Sequence, residues 1–267
     1  MNDKKVVFNF FQADTIIQSM SDFFNIEQEQ IKSFMEYNGD KEAKIMAKEF
    51  LQKFNITDES NFNFNNCYIK LKHITTCHDN LESIKKFGLK DLVFSLKQDD
   101  SELRNFFKKR NIDIIYEEKK LIICGKEYEL KDKYPQNYSN DLDNTRDLEI
   151  LHNKIYHYNE EIETFFRETD DRMKEYSDIQ HAPEILTSID NILRDLHKDI
   201  YLVSDWYKHK GFQGFILEFD LPITKLTYGH HLLTNCFETL QGCKNNGYAG
   251  ISLGTEIKFD MLKISNL

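Results

Sequence analysis

The sequence predicts an α+β fold: a split mixed and antiparallel sheet core, led by N-terminal helices and interrupted by a helical insertion. Three observations predict it. Apolar residues recur at helical spacing in the first sixty residues and again over about 145–196. Elsewhere they alternate in short runs, as half-buried strands do. With 3 Pro and 10 Gly in 267 residues, the chain is short of the turn formers that an all-β sandwich uses.

Taken in order, residues 1–60 form an N-terminal helical segment. Asp22 to Tyr37 carries Phe23, Phe24, Ile26, Ile31 and Phe34 on a helical repeat, and Lys41 to Phe54 carries Ala43, Ile45, Met46, Phe50 and Leu51. Asn38-Gly39-Asp40 is the turn between them. Residues 61–267 form the main domain. Its opening run, Tyr68 to His73, alternates as a strand, turns through Thr75 to Asn80, and becomes a helix over Leu81 to Phe87 that Gly88 closes. Asp100 to Arg110 reads as a helix. Ile112 to Tyr116 and Lys120 to Cys124 pair as a hairpin, with Glu127 to Leu130 as a third strand. Residues 131 to about 150 are polar. Two long helices fill the insertion, the second from Ile185 to Leu196 with Pro183 in its first turn. Asp199 to Val203, Gly214 to Leu221, Ala249 to Leu253, Glu256 to Phe259 and Leu262 to Ile264 then return to strand patterns.

The formal net charge is −10, which lowers the expectation of a duplex-DNA binder or a membrane-surface protein. Five cysteines, an odd number without CxxC spacing, fit reduced thiols rather than a disulfide framework or a structural zinc site. Neither a signal peptide nor an apolar membrane span is legible, so a cytoplasmic protein is expected. No HExxH, P-loop or GxGxxG occurs, and His230-His231 are neighbours that an extended chain points to opposite sides. No metal site is expected.

Three stretches can carry chemistry. His73, at a strand end beside Thr75 and Thr76, offers a donor and an acceptor to a ribose or phosphate. Its plainer reading, a surface histidine bonded locally to Thr75 or Asp79, stands ahead on spacing alone. Tyr201 to Tyr207 holds the single Trp in a polar turn, where an aromatic can stack on a heterocycle or simply pack in the core. Glu256, before an apolar run, can stabilise developing positive charge, although any one of 45 acidic residues has an exposed-surface explanation. Cys77 beside His78 is not a dyad by adjacency.

From His73 onward the sequence resembles the ADP-ribosyltransferase superfamily, most closely its DarT-like branch. The resemblance rests on His73-Ile74-Thr75, Asn80-Leu81, Ile84 and Gly88-Leu89, in that order. Tyr201 to Ser204 and Glu256-Ile257, followed by Leu262 to Ile264, are similar to the superfamily's middle and late motifs. It implies an ADP-ribosyltransferase-like split sheet and NAD as substrate. His73 and Thr75 would anchor NAD through its ribose, with Asn80 and Ser204 among the binding residues and Tyr201 on the nicotinamide side. Glu256, with His73, would be catalytic: it would bind the ribose 2′-hydroxyl and stabilise the oxocarbenium-like transition state. Glu218 and Glu238 remain alternatives for that carboxylate. The branch's arginine has its nearest basic candidates in Arg104 and Arg110.

The expected function is therefore an NAD-dependent ADP-ribosyltransferase, of the kind used as a bacterial or phage toxin or conflict protein. Its acceptor would be a protein or nucleic acid, and an antitoxin or regulatory partner is implied. The alternative is a non-catalytic nucleotide-binding or sensor protein on the same fold. An RNA 2′-phosphotransferase relative would need clustered basic residues, which the sequence does not display.

Overall fold

The computed structural model describes residues 4–56, 62–135, 145–158, 162–167, 180–227, 231–243, 247–252 and 254–267. It is α+β. In chain order the elements are β1 (Val6–Phe8), α1 (Ala13–Phe24), α2 (Gln28–Asn38), α3 (Ala43–Lys53), β2 (Cys67–Cys77), α4 (Glu82–Phe87), α5 (Leu92–Lys97) and α6 (Glu102–Lys108). There follow β3 (Ile112–Ile115), β4 (Lys120–Ile123), β5 (Lys126–Glu129), α7 (Arg146–Asn153), a π turn (Lys154–Tyr158) and β6 (Ile162–Arg167). The chain ends with α8 (Glu184–Asp195), α9 (Leu202–Tyr207), β7 (Gln213–Pro222), α10 (Leu232–Leu240), β8 (Gly247–Ile251) and β9 (Lys263–Asn266). No helix among the described residues is long and apolar enough to cross a membrane.

The chain divides into two compact units, and β2 and β7 each run from one into the other. The first unit holds residues 1–73, 163–173 and 218–251. Its strands stand in the order β8-β6-β2-β7, and β1 lies parallel on β2 with Val6 opposite Cys67. β2 and β6 are antiparallel, with Lys72 opposite Phe165. Phenylalanines close the core of this unit. Phe34, Phe50 and Phe237 are almost wholly buried, and their rings meet edge-on or tilted at 5.4–5.7 Å.

The second unit holds residues 74–162, 174–217 and 252–267. Its β3-β4-β5 meander is antiparallel, with Ile112 opposite Ile123 and Leu121 opposite Tyr128. The inward faces of that meander, α6, α7, α8 and α9 make one core containing Phe107, Ile114, Leu151, Ile189 and Trp206. The first half of β7 pairs with the β9 end of the chain, where Leu267 N–H donates to the Gly214 carbonyl at 2.9 Å.

Several sequence expectations are corrected. The single helix over Asp22 to Tyr37 is two, because Asn25 takes the left-handed conformation (φ 55°) and caps α1. The lead also contains β1. The insertion is not two long helices: Ile162 to Arg167 is strand β6, whose Ile162 and Phe165-Phe166 happen to fall at helical intervals. Part of that insertion lies outside the described residues. Asp199 to Val203 is not a strand. The Asp190 carboxylate on α8 accepts from Leu202 N–H and Val203 N–H at 2.6 and 3.0 Å, which starts helix α9 instead. Glu256 to Phe259 is not a strand either. Ile257 makes one isolated bridge to Leu89, and a 3₁₀ turn follows at Phe259–Met261. β2 runs on through the expected turn to Cys77.

Candidate functional site

The second unit gathers its chemistry at the end of β2. Thr76 and Cys77 are buried, and the chain then turns sharply through His78 to Leu81. Asn80 and Leu81 both have positive φ, 54° and 63°. For Leu81, bulky and 3 % exposed, that conformation is strained and persists only because its surroundings hold it. Cys77 Sγ accepts from Leu81 N–H at 3.4 Å. Asp79 Oδ2 accepts from the Ser83 N–H at 2.9 Å and its hydroxyl at 2.6 Å, which fastens the turn to the start of α4. Asp79 Oδ1 is buried with no hydrogen-bond partner among the described residues, a cost unless a ligand meets it.

His78 sits at the centre. Its Nε2 donates to the Trp206 carbonyl at 2.9 Å, and its ring lies tilted against Trp206 at 4.1 Å and stacked on His209 at 4.2 Å. Its Nδ1 faces Glu102 Oε1 at 3.1 Å, and its own backbone N–H donates to the same oxygen at 2.6 Å. Burial holds His78 below the usual imidazole range, helped by the charges of His209 and Arg110. Burial, then the nearby Asp79 charge, pushes Glu102 up to about 7. With Nε2 carrying its proton toward Trp206, Nδ1 is the acceptor and a protonated Glu102 is its donor. Near neutral pH Glu102 can therefore exchange its proton while facing the imidazole.

The indole completes the frame. Trp206 Nε1 donates to Thr76 Oγ1 at 3.1 Å, and its ring meets Phe106 edge-on at 4.8 Å. Arg110 lies over Phe106 at 3.6 Å and bonds Asp205 at 3.1 Å. Gly211 is required here, because a Cβ would lie 2.9 Å from the His78 carbonyl oxygen.

The sequence-derived candidates are distributed as follows. His73 ends the opening segment of the first unit, half-buried on β2. Thr75 is half-buried and Asn80 exposed, both on the stretch just described. Ser204 is half-buried on α9. Tyr201 precedes α9 and is 63 % exposed, so it is not a core residue. Glu256 is exposed, with Lys90 Nζ at 3.9 Å. The two alternatives for it belong to the first unit and have partners: Glu218 with Lys70 at 3.3 Å, and Glu238 with the buried Arg167 at 2.6 Å. Arg104 and Arg110 are engaged by Asp99 and Asp205 at 3.0 and 3.1 Å.

One contact joins two of the expected motifs inside the second unit. Gly88 closes α4 with φ 76° and ψ 177°, and the Leu89 N–H donates to the Ile257 carbonyl at 2.9 Å. A Cβ on Gly88 would stand 2.6 Å from that carbonyl oxygen, so only glycine admits the approach. Among the described residues, two sets of side chains offer metal-ligating atoms within 4.8 Å of one another: Cys77, Asp79 and Glu102, and Asp132, His152 and His157. In the first, burial keeps the Cys77 thiol protonated, up to about 11, which opposes metal ligation. All five cysteines are free thiols.

His78, Glu102 and Trp206 acting together were not legible in the sequence, since 24 and 128 residues separate His78 from its partners. The available signals were a histidine inside the opening motif and a single tryptophan. Comparison with protein-family models, curated proteins and solved structures finds no match.

Proposed function

We propose that the chain is an NAD-dependent ADP-ribosyltransferase. The supporting observation is the Gly88–Ile257 approach. It brings the end of the opening motif against the residue that follows Glu256, within one unit, as two motifs serving one substrate require. Glu256 is exposed, and Lys90 at 3.9 Å supplies a balancing charge while leaving the carboxylate open to a hydroxyl.

In this reaction the bond from ribose C1′ to the nicotinamide nitrogen breaks, and nicotinamide leaves with the bonding pair. An acceptor nucleophile then bonds to C1′ and loses its proton. Glu256 accepts a hydrogen bond from the 2′-hydroxyl and stabilises the positive charge that develops on the ribose. Thr75 and Asn80 supply a hydroxyl and an amide for the ribose and diphosphate. The His78–Glu102 pair, with Glu102 near 7, is suited to take the acceptor's proton. The acceptor is a macromolecule, protein or nucleic acid.

The test is nicotinamide release from NAD by the purified protein, alone and with cell extract as acceptor source. Release that falls about 100-fold or more in Glu256→Gln supports the reading. No release by the unmodified protein, or equal release by Glu256→Gln, overturns it. A second reading, a nucleotide-binding protein without turnover, draws on the carboxylate partners of Arg104 and Arg110. It predicts saturable binding of NAD or ADP-ribose with no nicotinamide released.

A further inference from the structure

Asp132, His152 and His157 lie in the second unit and have no part in the NAD reading. Each offers one ligand atom, and the three atoms lie within 4.8 Å of one another. The sequence hides this group, because His152 and His157 are five residues apart. On an α-helix five residues turn the direction by about 140° from alignment, so the two imidazoles would diverge. Here the helix changes after Asn153. Lys154–Tyr158 is a π turn that holds His157, and its wider hydrogen-bonded ring departs from the α-helical repeat that His152 on α7 follows.

The surroundings hold that change in place. Ile155 is fully buried, and the Tyr156 hydroxyl donates to the Tyr116 carbonyl at 2.8 Å with the two rings 4.9 Å apart. The segment after β5 is tied to α7 as well. Leu130 is buried, the Tyr134 N–H donates to Glu149 Oε1 at 3.0 Å, and the Tyr134 hydroxyl bonds the Glu129 carbonyl. That places Asp132 beside the histidines. His152 is 4 % exposed, and its Nδ1 lies 3.4 Å from Asn153 Oδ1, an outer contact that orients the ring.

We propose that Asp132, His152 and His157 bind one divalent first-row transition-metal ion of the zinc class. Two imidazoles and one carboxylate are three protein ligands, the number at which zinc sites keep a position open to water or substrate. Asp132 and His157 are exposed, so the open position faces solvent. The bound ion would lock the segment after β5 to the π turn.

The experiment uses the full-length chain, stripped with a chelator and titrated with Zn²⁺ by calorimetry, then with Co²⁺ by absorption spectroscopy. Expected are one equivalent of Zn²⁺, a rise in melting temperature on binding, and a Co²⁺ spectrum without thiolate charge-transfer bands. Asp132→Asn and His157→Ala alter exposed side chains and should fold, as circular dichroism will verify. Each should weaken Zn²⁺ by more than the roughly 10–100-fold typical of losing an outer partner. No uptake by the unmodified protein, or full affinity and stoichiometry in His157→Ala, overturns the proposal. The second result would put the ion elsewhere, for instance at Cys77, Asp79 and Glu102.

Discussion

Replacing Gly88 by alanine tests the link between the opening motif and Glu256 directly. Gly88 has φ 76° and ψ 177°, a region essentially confined to glycine, and a side chain forced there costs about 1–3 kcal/mol. The added Cβ would also fall 2.6 Å from the Ile257 carbonyl oxygen, a backbone atom that cannot swing aside. Relief requires the two segments to part, which sacrifices the 2.9 Å Leu89–Ile257 hydrogen bond, worth about 1 kcal/mol. The total is about 2–4 kcal/mol. For a chain of this size that lowers the melting temperature by about 4 °C or more. The assay is thermal unfolding followed by circular dichroism, with nicotinamide release measured well below the transition. Gly88→Ala should melt lower and release nicotinamide more slowly, because Ile257 adjoins Glu256. An unchanged melting temperature would refute the reasoning about the close approach. A lower melting temperature with full activity would refute the claim that this contact positions Glu256.

Three further outcomes follow from the geometry. Glu102 titrates near 7 in the folded chain against 4.5 for a free side chain, so its contribution to stability is fully present below about 4.5 and is lost as pH rises to about 7. The loss reaches about 3 kcal/mol for this mostly buried group, and Glu102→Gln should flatten stability over that window in denaturant titrations; an unchanged pH slope would show that another group is responsible. Thr76→Val and Trp206→Phe each remove one side of a buried hydrogen bond and should each cost about 1–3 kcal/mol, while the double variant costs less than their sum. Strict additivity in chemical denaturation would mean that the bond carries no energy. Glu238→Ala leaves the Arg167 guanidinium without its 2.6 Å partner, in a site where Arg167 Nε and Nη1 already have none among the described residues. It should destabilise by about 3–5 kcal/mol, and adding Arg167→Met should recover much of the loss; no recovery would place the damage in packing rather than charge.

Local pattern carried those parts of the fold whose structure is decided locally. The β3-β4-β5 meander follows from strict alternation and short turns, and α3 and α8 follow from unbroken helical stripes. The exceptions had distant causes. The Tyr201 region is apolar enough for a strand, but Asp190, twelve residues before Leu202, caps it as a helix. β6 reads equally as a helix until Thr164 donates to the Ala249 carbonyl, 85 residues away. Asn25 is a local signal, since asparagine tolerates the left-handed cap that separates α1 from α2.

The candidate site obeys the same division, and this bears on which histidine matters. The sequence resemblance fixes attention on His73, because it heads the opening motif. Within the second unit, however, the histidine surrounded by titratable and aromatic partners is His78, which adjacency to Cys77 alone did not recommend. Its half-buried carboxylate partner, its carbonyl acceptor and its two ring neighbours all come from later segments. A strained Leu81 and an Asp79 oxygen without a partner among the described residues occur in the same turn. Strain and unmet polarity persist only where something compensates them, and a bound ligand is the compensation that a turn of this kind can use. The two histidines therefore separate by assay. If ligand binding rests on the motif's heading residue, His73→Ala loses NAD affinity and His78→Ala does not. If the turn itself holds the substrate, His78→Asn changes the pH profile of nicotinamide release across the range in which Glu102 titrates, an effect that a merely structural histidine would not produce.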